Sequence, residues 1–193
     1  MGSTTSEVIA SVSNDGVIKF WKKSFHGIEF VKSFKAHVGN ITSISMTFNG
    51  HKVLTASSKD CTIKLYDSIN YDIMTMKKIT ELKPHIAEFL NIESLDTIIA
   101  MSDNESNLIH IYNIEKSENV CPPLKIHNSP ITAMKCNSAY NTMISTDKQG
   151  LIEYWDTTKY TMPSKIVKFS CKSETDLYYL AKVIYLYRMT FLH

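Results

Sequence analysis

Arginine is nearly missing from this chain of 193 residues: of 21 basic side chains, only Arg188 is one. Arginine supplies the commonest bidentate base contact and much of the stacking on RNA, so its scarcity argues against sequence-specific nucleic-acid binding. The formal net charge is only +2. A mild cluster of Lys19, Lys22, Lys23, Lys32 and Lys35, with Glu29 nearby, reads as a solvated face and not as a phosphate track. The four cysteines, Cys61, Cys121, Cys136 and Cys171, form no C-x-x-C pair, which excludes the usual zinc spacing and a disulfide framework. Free thiols without a secretory leader point to a reducing compartment, the nucleus or the cytosol. There is no Gly-rich phosphate loop, no H-E-x-x-H and no G-x-S-x-G elbow. The seven histidines do not gather on one strand face, and the nine methionines read as core filler, so neither a metal nor a cofactor is expected. Long apolar runs are lacking too. The richest, Leu177 to His193, is broken by Lys182 and Arg188 and is too short to span a bilayer, so no membrane partner is expected.

What the chain does have is a period. Ile18-Lys19-Phe20-Trp21 returns as Ile63-Lys64-Leu65-Tyr66, Ile109-His110-Ile111-Tyr112 and Ile152-Glu153-Tyr154-Trp155, at spacings of 43 to 46 residues. Aromatics are 10% of the residues, so three further hits in one register have a chance of about one in a thousand. Around each copy lie short strand-like runs bounded by turn residues. Val8 to Ser13, Val17 to Lys22 and Glu29 to Phe34 form three strands, with Asn14-Asp15-Gly16 as a hairpin turn. Ile41 to Phe48, Lys52 to Ser57, Thr62 to Asp67 and Ile73 to Ile79 form four more. The third group is Ile86 to Ile92, Thr97 to Ser102, Leu108 to Tyr112 and a strand near Leu124, which Pro122-Pro123 delays. The fourth is Ile131 to Cys136, Thr142 to Thr146, Leu151 to Asp156 and Ile166 to Ser170.

A period near 43 with a strand ending in Trp-Asp, or a softened form of it, resembles the WD repeat, in which one repeat makes one four-stranded propeller blade. The fold expected is all-β: a partial WD-repeat β-propeller of about four four-stranded antiparallel blades. Residues 1–7 read as a tag-like or disordered N-terminus, 8–36 as an incomplete blade, 37–80, 81–126 and 127–172 as blades, and 173–193 as the start of a further blade or an atypical tail. His37 lies 29 residues before Tyr66, and His127 lies 28 before Trp155, as the His step that opens a WD repeat would.

The resemblance also implies a structural hydrogen-bond tetrad running from that His through a hairpin Asp and a Ser to the aromatic. Its positions fall on Ser11, Asp15 and Trp21 in the first repeat, on His37, Asp60 and Tyr66 in the second, and on His127, Ser145 and Trp155 in the fourth. In this reading Ala56 replaces the Ser of the second repeat and Gln149 replaces the Asp of the fourth. The same residue types could make a nucleophilic triad, but the structural role is preferred because no nucleophile elbow accompanies them. His110 is read as an outward or satisfied residue.

Linker and turn residues narrow the likeness. Ile18-Lys19-Phe20-Trp21-Lys22-Lys23, Gly27-Ile28-Glu29-Phe30-Val31-Lys32, His127-Asn128-Ser129-Pro130-Ile131, Ser145-Thr146-Asp147-Lys148-Gln149-Gly150 and Thr175-Asp176-Leu177-Tyr178 resemble the WD-repeat domain of the spliceosome-associated cyclophilins. The likeness runs over about residues 8 to 182 and stops at Val183 to His193. It implies a protein-interaction scaffold in the nucleus, with the cytoplasm as the second location, and spliceosomal proteins as partners. It also implies that the prolyl isomerase activity belongs to a separate cyclophilin domain and not to this chain. Other readings are an adaptor of a ubiquitin ligase or chromatin complex and a weak RNA-contacting module. An open run of blades leaves sheet edges unpaired, so self-association through those edges is expected.

Overall fold

The computed structural model describes residues 7–90, 97–137, 140–162 and 169–170. Its described residues hold fifteen strands in four antiparallel sheets and no helix. The first sheet has three strands, β1 (Val8–Val12), β2 (Val17–Ser24) and β3 (Gly27–Lys35), in chain order. The second has four: β4 (Ser43–Met46), β5 (Lys52–Ser57), β6 (Thr62–Asp67) and β7 (Asp72–Lys78). β8 (Pro84–Phe89), β9 (Ile98–Asp103), β10 (Ile109–Asn113) and β11 (Glu118–Asn119) make the third. β12 (Ile131–Asn137), β13 (Thr142–Asp147), β14 (Leu151–Asp156) and β15 (Phe169–Ser170) make the fourth. Each sheet is a meander, with strands that follow one another in the chain lying side by side.

The chain divides into two compact units, Met1–Ala87 and Glu88–His193, at a boundary within β8. In the first unit the core is Ile18, Phe20, Ala36, Ile41, Val53 and Tyr66, with Val8, Ala10, Val12, Phe34, Met46 and Tyr71 packed against it. The alternation of β2 explains its share: Ile18 and Phe20 are buried while Lys19 between them is exposed. Phe20 is the hub, with ring centroids 5.7 Å from Tyr66, 6.1 Å from Tyr71 and 6.3 Å from Phe34. In the second unit β9 is buried from Ile98 through Ser102, the continuous pattern of a strand covered on both faces. The last strands of the first two sheets, β3 and β7, are mostly exposed.

One glycine decides how the second repeat begins. Gly16 has φ +81°, and a Cβ there would sit 2.2 Å from the His37 carbonyl oxygen and 2.5 Å from that of Gly39. Its own carbonyl accepts the amides of Ala36 and His37 at 2.8 and 3.0 Å. Only glycine fits this approach, which fixes the loop carrying His37 against the β1–β2 turn.

Several boundaries differ from the sequence expectation. β4 is Ser43–Met46, shorter than Ile41 to Phe48. The strand expected near Leu124 is a single bridge to Ile109, and the fourth place in that sheet belongs to Glu118–Asn119. Pro122 and Pro123 have no amide to give a ladder there. The expected strand from Ile166 is described only at Phe169–Ser170, and the segment 173–193 lies outside the described residues.

Candidate functional site

The register of each hairpin brings a polar side chain to the aromatic that ends the repeat. Trp21 faces Ile9, so Ser11, two residues along on the same face, meets the indole. Trp21 Nε1 donates to Ser11 Oγ at 2.9 Å. Asp15 accepts the Val17 amide at 3.2 Å and pairs with the Ser13 hydroxyl. The Ser13 bond and the Val17 amide hold its carboxyl below the ordinary carboxylate range. Ser11 and Asp15 are exposed, and no histidine reaches this group among the described contacts.

Counting the same way in the second sheet corrects the expected register. Tyr66 faces Val53, so the equivalent of Ser11 is Thr55; Ala56 pairs with Ile63 on the other face. Thr55 Oγ1 lies 2.9 Å from His37 Nε2. On its other side His37 Nδ1 lies 3.1 Å from Asp60 Oδ2 and 2.9 Å from Thr62 Oγ1. Asp60 also accepts the amides of Val38 and Thr62 at 3.0 and 3.2 Å. Burial opposes its charge, but the Thr62 hydroxyl, the Val38 amide and His37 outweigh that and hold its carboxyl below the usual value. Burial lowers His37, against the pull of Asp60. The Tyr66 hydroxyl has no well-formed hydrogen bond, and burial pushes it up to about 12. Thr55 therefore replaces the serine, and it serves the histidine more than the aromatic.

The fourth sheet holds the most complete chain. Trp155 Nε1 donates to Ser145 Oγ at 3.3 Å, and the same oxygen lies 2.7 Å from His127 Nε2. His127 Nδ1 stands 3.3 Å from Asp147 Oδ2. The expected loss of the carboxylate at Gln149 is thus corrected: Asp147, two residues earlier in the turn, supplies it. Asp147 Oδ1 also accepts the amides of Gln149 and Leu151, both at 3.0 Å. Burial lowers the His127 imidazole, with Asp147 and Glu153 opposing. A neutral His127 offers Nε2 as acceptor for the Ser145 hydroxyl, whose oxygen takes the indole N–H, while its Nδ1 faces Asp147 Oδ2 without a well-formed hydrogen bond. The two formed bonds then run one way, from the indole through the serine to the imidazole. In the third sheet Tyr112 faces Ile99, which places Met101 at the serine position. His110 is buried, not outward.

Ser145, His127 and Asp147 stand in the order of a nucleophilic triad, but each has 0% exposure and Trp155 already occupies the serine oxygen. No substrate reaches such a serine, so the chemistry available is orientation of the blade. Among the described residues no group of three or more His, Cys, Asp or Glu could hold a metal ion.

The residue after the aromatic in the second, third and fourth repeats has a role that was not read from sequence. Asp67 accepts the amides of Ile69 and Asn70, Asn113 that of Lys116, and Asp156 those of Thr158 and Lys159, at 2.7 to 3.1 Å. Four residues beyond each stands a left-handed residue, Tyr71 (φ 54°), Ser117 (φ 59°) and Tyr160 (φ 57°). The recurring Tyr-Asp, Tyr-Asn and Trp-Asp pairs were the available signal, since Asp and Asn cap turns in this way.

Comparison with known proteins agrees with this geometry. The WD40 family, described as WD domain, G-beta repeat, matches residues 28–67, which include His37, Thr55, Asp60 and Tyr66. Peptidyl-prolyl cis-trans isomerase CYP71 of Arabidopsis thaliana is 37% identical over 180 residues, covering 93% of this chain and 28% of its own length. Peptidylprolyl isomerase domain and WD repeat-containing protein 1 of Homo sapiens is 36% identical over 187 residues, with the same two coverages. This chain is similar to the WD-repeat part of these peptidyl-prolyl isomerases. It spans 28% of the length of these curated relatives. It matches their WD-repeat part and not an isomerase domain, so no enzymatic activity is assigned to it. Among solved structures, the β-propeller domain of Cps50 (Swd1) of Myceliophteria thermophila superposes with a TM-score of 0.68 at 17% identity, covering 86% of this chain and 52% of that one. The fold is therefore that of a partial WD-repeat β-propeller.

Proposed function

We propose that this WD-repeat chain is the partner-binding module of a cyclophilin-type isomerase that works on the spliceosome in the nucleus. The observation that carries the reading is the 36–37% identity over 93% of the chain to proteins that join an isomerase to WD repeats. In this reading the blades present a rigid surface to splicing proteins, and the prolyl isomerisation belongs to a different part of the protein. The buried chains of His37 and His127 support that division of labour, since they hold strands together in the interior. Affinity capture of the intact protein from nuclear extract, read by mass spectrometry, tests it. Spliceosomal proteins are expected in the eluate, and their absence beside ubiquitin-ligase or chromatin subunits would overturn it.

A further inference from the structure

The β2–β3 hairpin is unlike the rest of the molecule in what it shows to solvent. Every residue of β3 is exposed except the half-buried Phe34. Phe25 at the tip is 99% exposed, Ile28 63% and Phe30 55%. β3 ends its sheet, and among the described residues no backbone hydrogen bond reaches it from outside that sheet. An edge of nine residues with unpaired amides and carbonyls is a template for another strand.

Charge on this hairpin is concentrated. Lys19, Lys22, Lys23, Lys32 and Lys35 against Glu29 give residues 17–35 a formal +4, where the whole chain has only +2. Glu29 is held within the hairpin by the Ser24 hydroxyl at 2.6 Å. Lys23 and Lys32 pair with Glu7 and Asp72 at 2.7 and 3.5 Å, but all four side chains are well exposed, so these pairs exchange readily with another carboxylate.

The register sorts these groups by face. Trp21 faces Phe30 and Lys23 faces Ile28, so Trp21, Ile28 and Phe30 share one side of the hairpin with Lys23. Lys22 faces Glu29 and Phe20 faces Lys32, which puts both lysines on the other side. We propose that β3 takes up an extended segment of a partner protein as an added strand, one that alternates acidic and apolar residues. Its apolar side chains lie beside Ile28 and Phe30, and its carboxylates lie beside Lys32 and within the field of the hairpin's other lysines. Strand addition supplies affinity through the backbone and specificity through the alternating side chains. A second copy of this chain is the poorer occupant, because its own β3 hairpin would set +4 against +4.

The inference rests on the scaffold reading but is tested separately from it. The probe is a fluorescein-labelled peptide of four Glu alternating with Val and Phe, with a Lys-for-Glu version as control. The acidic probe is expected to bind this chain, to weaken at least about fivefold between about 50 and about 300 mM NaCl, and to slow amide exchange at residues 28–34. The double variant Lys22→Glu, Lys32→Glu is expected to bind about tenfold more weakly while melting at an unchanged temperature. Four results would each overturn the proposal: no binding of the acidic probe, equal binding of the lysine version, protection that falls outside β3, or tighter binding of a uridine oligonucleotide. If the double variant still captures the same nuclear partners as the native protein, this edge is not the docking site, while the scaffold reading stands.

Discussion

Ser145 and Ser11 occupy the same place in two hairpins, yet their surroundings set different energetic roles. Ser145 is fully buried between His127 Nε2 and the Trp155 indole, whereas Ser11 is exposed beside a half-buried Trp21. Removing a buried hydroxyl strands both of its partners without water, so Ser145→Ala is expected to cost about 2–3 kcal/mol by denaturant unfolding. Ser11→Ala is expected to cost less than about 1 kcal/mol, since water replaces the lost partner. Equal losses at the two sites would show that the buried chain contributes nothing special. At this scale the sequence was legible where strand periodicity governs it. The Ile and aromatic positions recur because each must point into a covered face. Thr55 and Asp147 were missed because locating them requires the length of each turn. The carboxylate lies four residues after Ser11, five after Thr55 and two after Ser145, so no fixed spacing finds it.

The turn after the aromatic is an element built three times with one backbone shape. Ser117 is exposed and has φ 59°, where an L side chain pays a steric penalty that glycine avoids. Ser117→Gly is therefore expected to raise stability by about 0.5–1 kcal/mol, measured as a higher denaturant midpoint. Tyr71 has the same conformation, but its ring packs on Phe20 at 6.1 Å within the first core. Tyr71→Gly is expected to lower stability by about 1–2 kcal/mol, because lost packing exceeds the relief of strain. Element existence was readable from these same turns. Their left-handed residues were not, since serine and tyrosine carry no propensity for that conformation and only the Asp or Asn cap upstream imposes it.

Across the molecule, each compact unit contains a buried imidazole set between a hydroxyl and a carboxylate, His37 in the first and His127 in the second. Burial lowers both, against Asp60 beside His37 and against Asp147 and Glu153 beside His127. The unfolded chain, with histidine near its ordinary value of about 6.5, then binds more protons than the folded one as pH falls. Stability is accordingly complete above about pH 6.5 and declines below it, by at most about 1.4 kcal/mol per pH unit for each histidine. The depressed Asp60 carboxyl adds to the loss only as pH falls below its own ordinary value, 3.8. Thermal melts at pH 7.5 and 5.5 check this: a lower melting temperature at the acid pH is expected, and identical values would mean that the imidazoles are already open to protonation.

The chain has two tryptophans, and the sheets place one in each unit under opposite conditions. Trp155 sits at 0% exposure with its indole bonded to Ser145, while Trp21 is half-buried on a strand that carries Lys19, Lys22 and Lys23. The intrinsic fluorescence is thus a sum of two separable signals, a blue-shifted emission from the second unit and a redder one from the first. Iodide, drawn to the lysines, quenches the redder signal and leaves the other dark to it, so a single label-free titration follows each unit on its own.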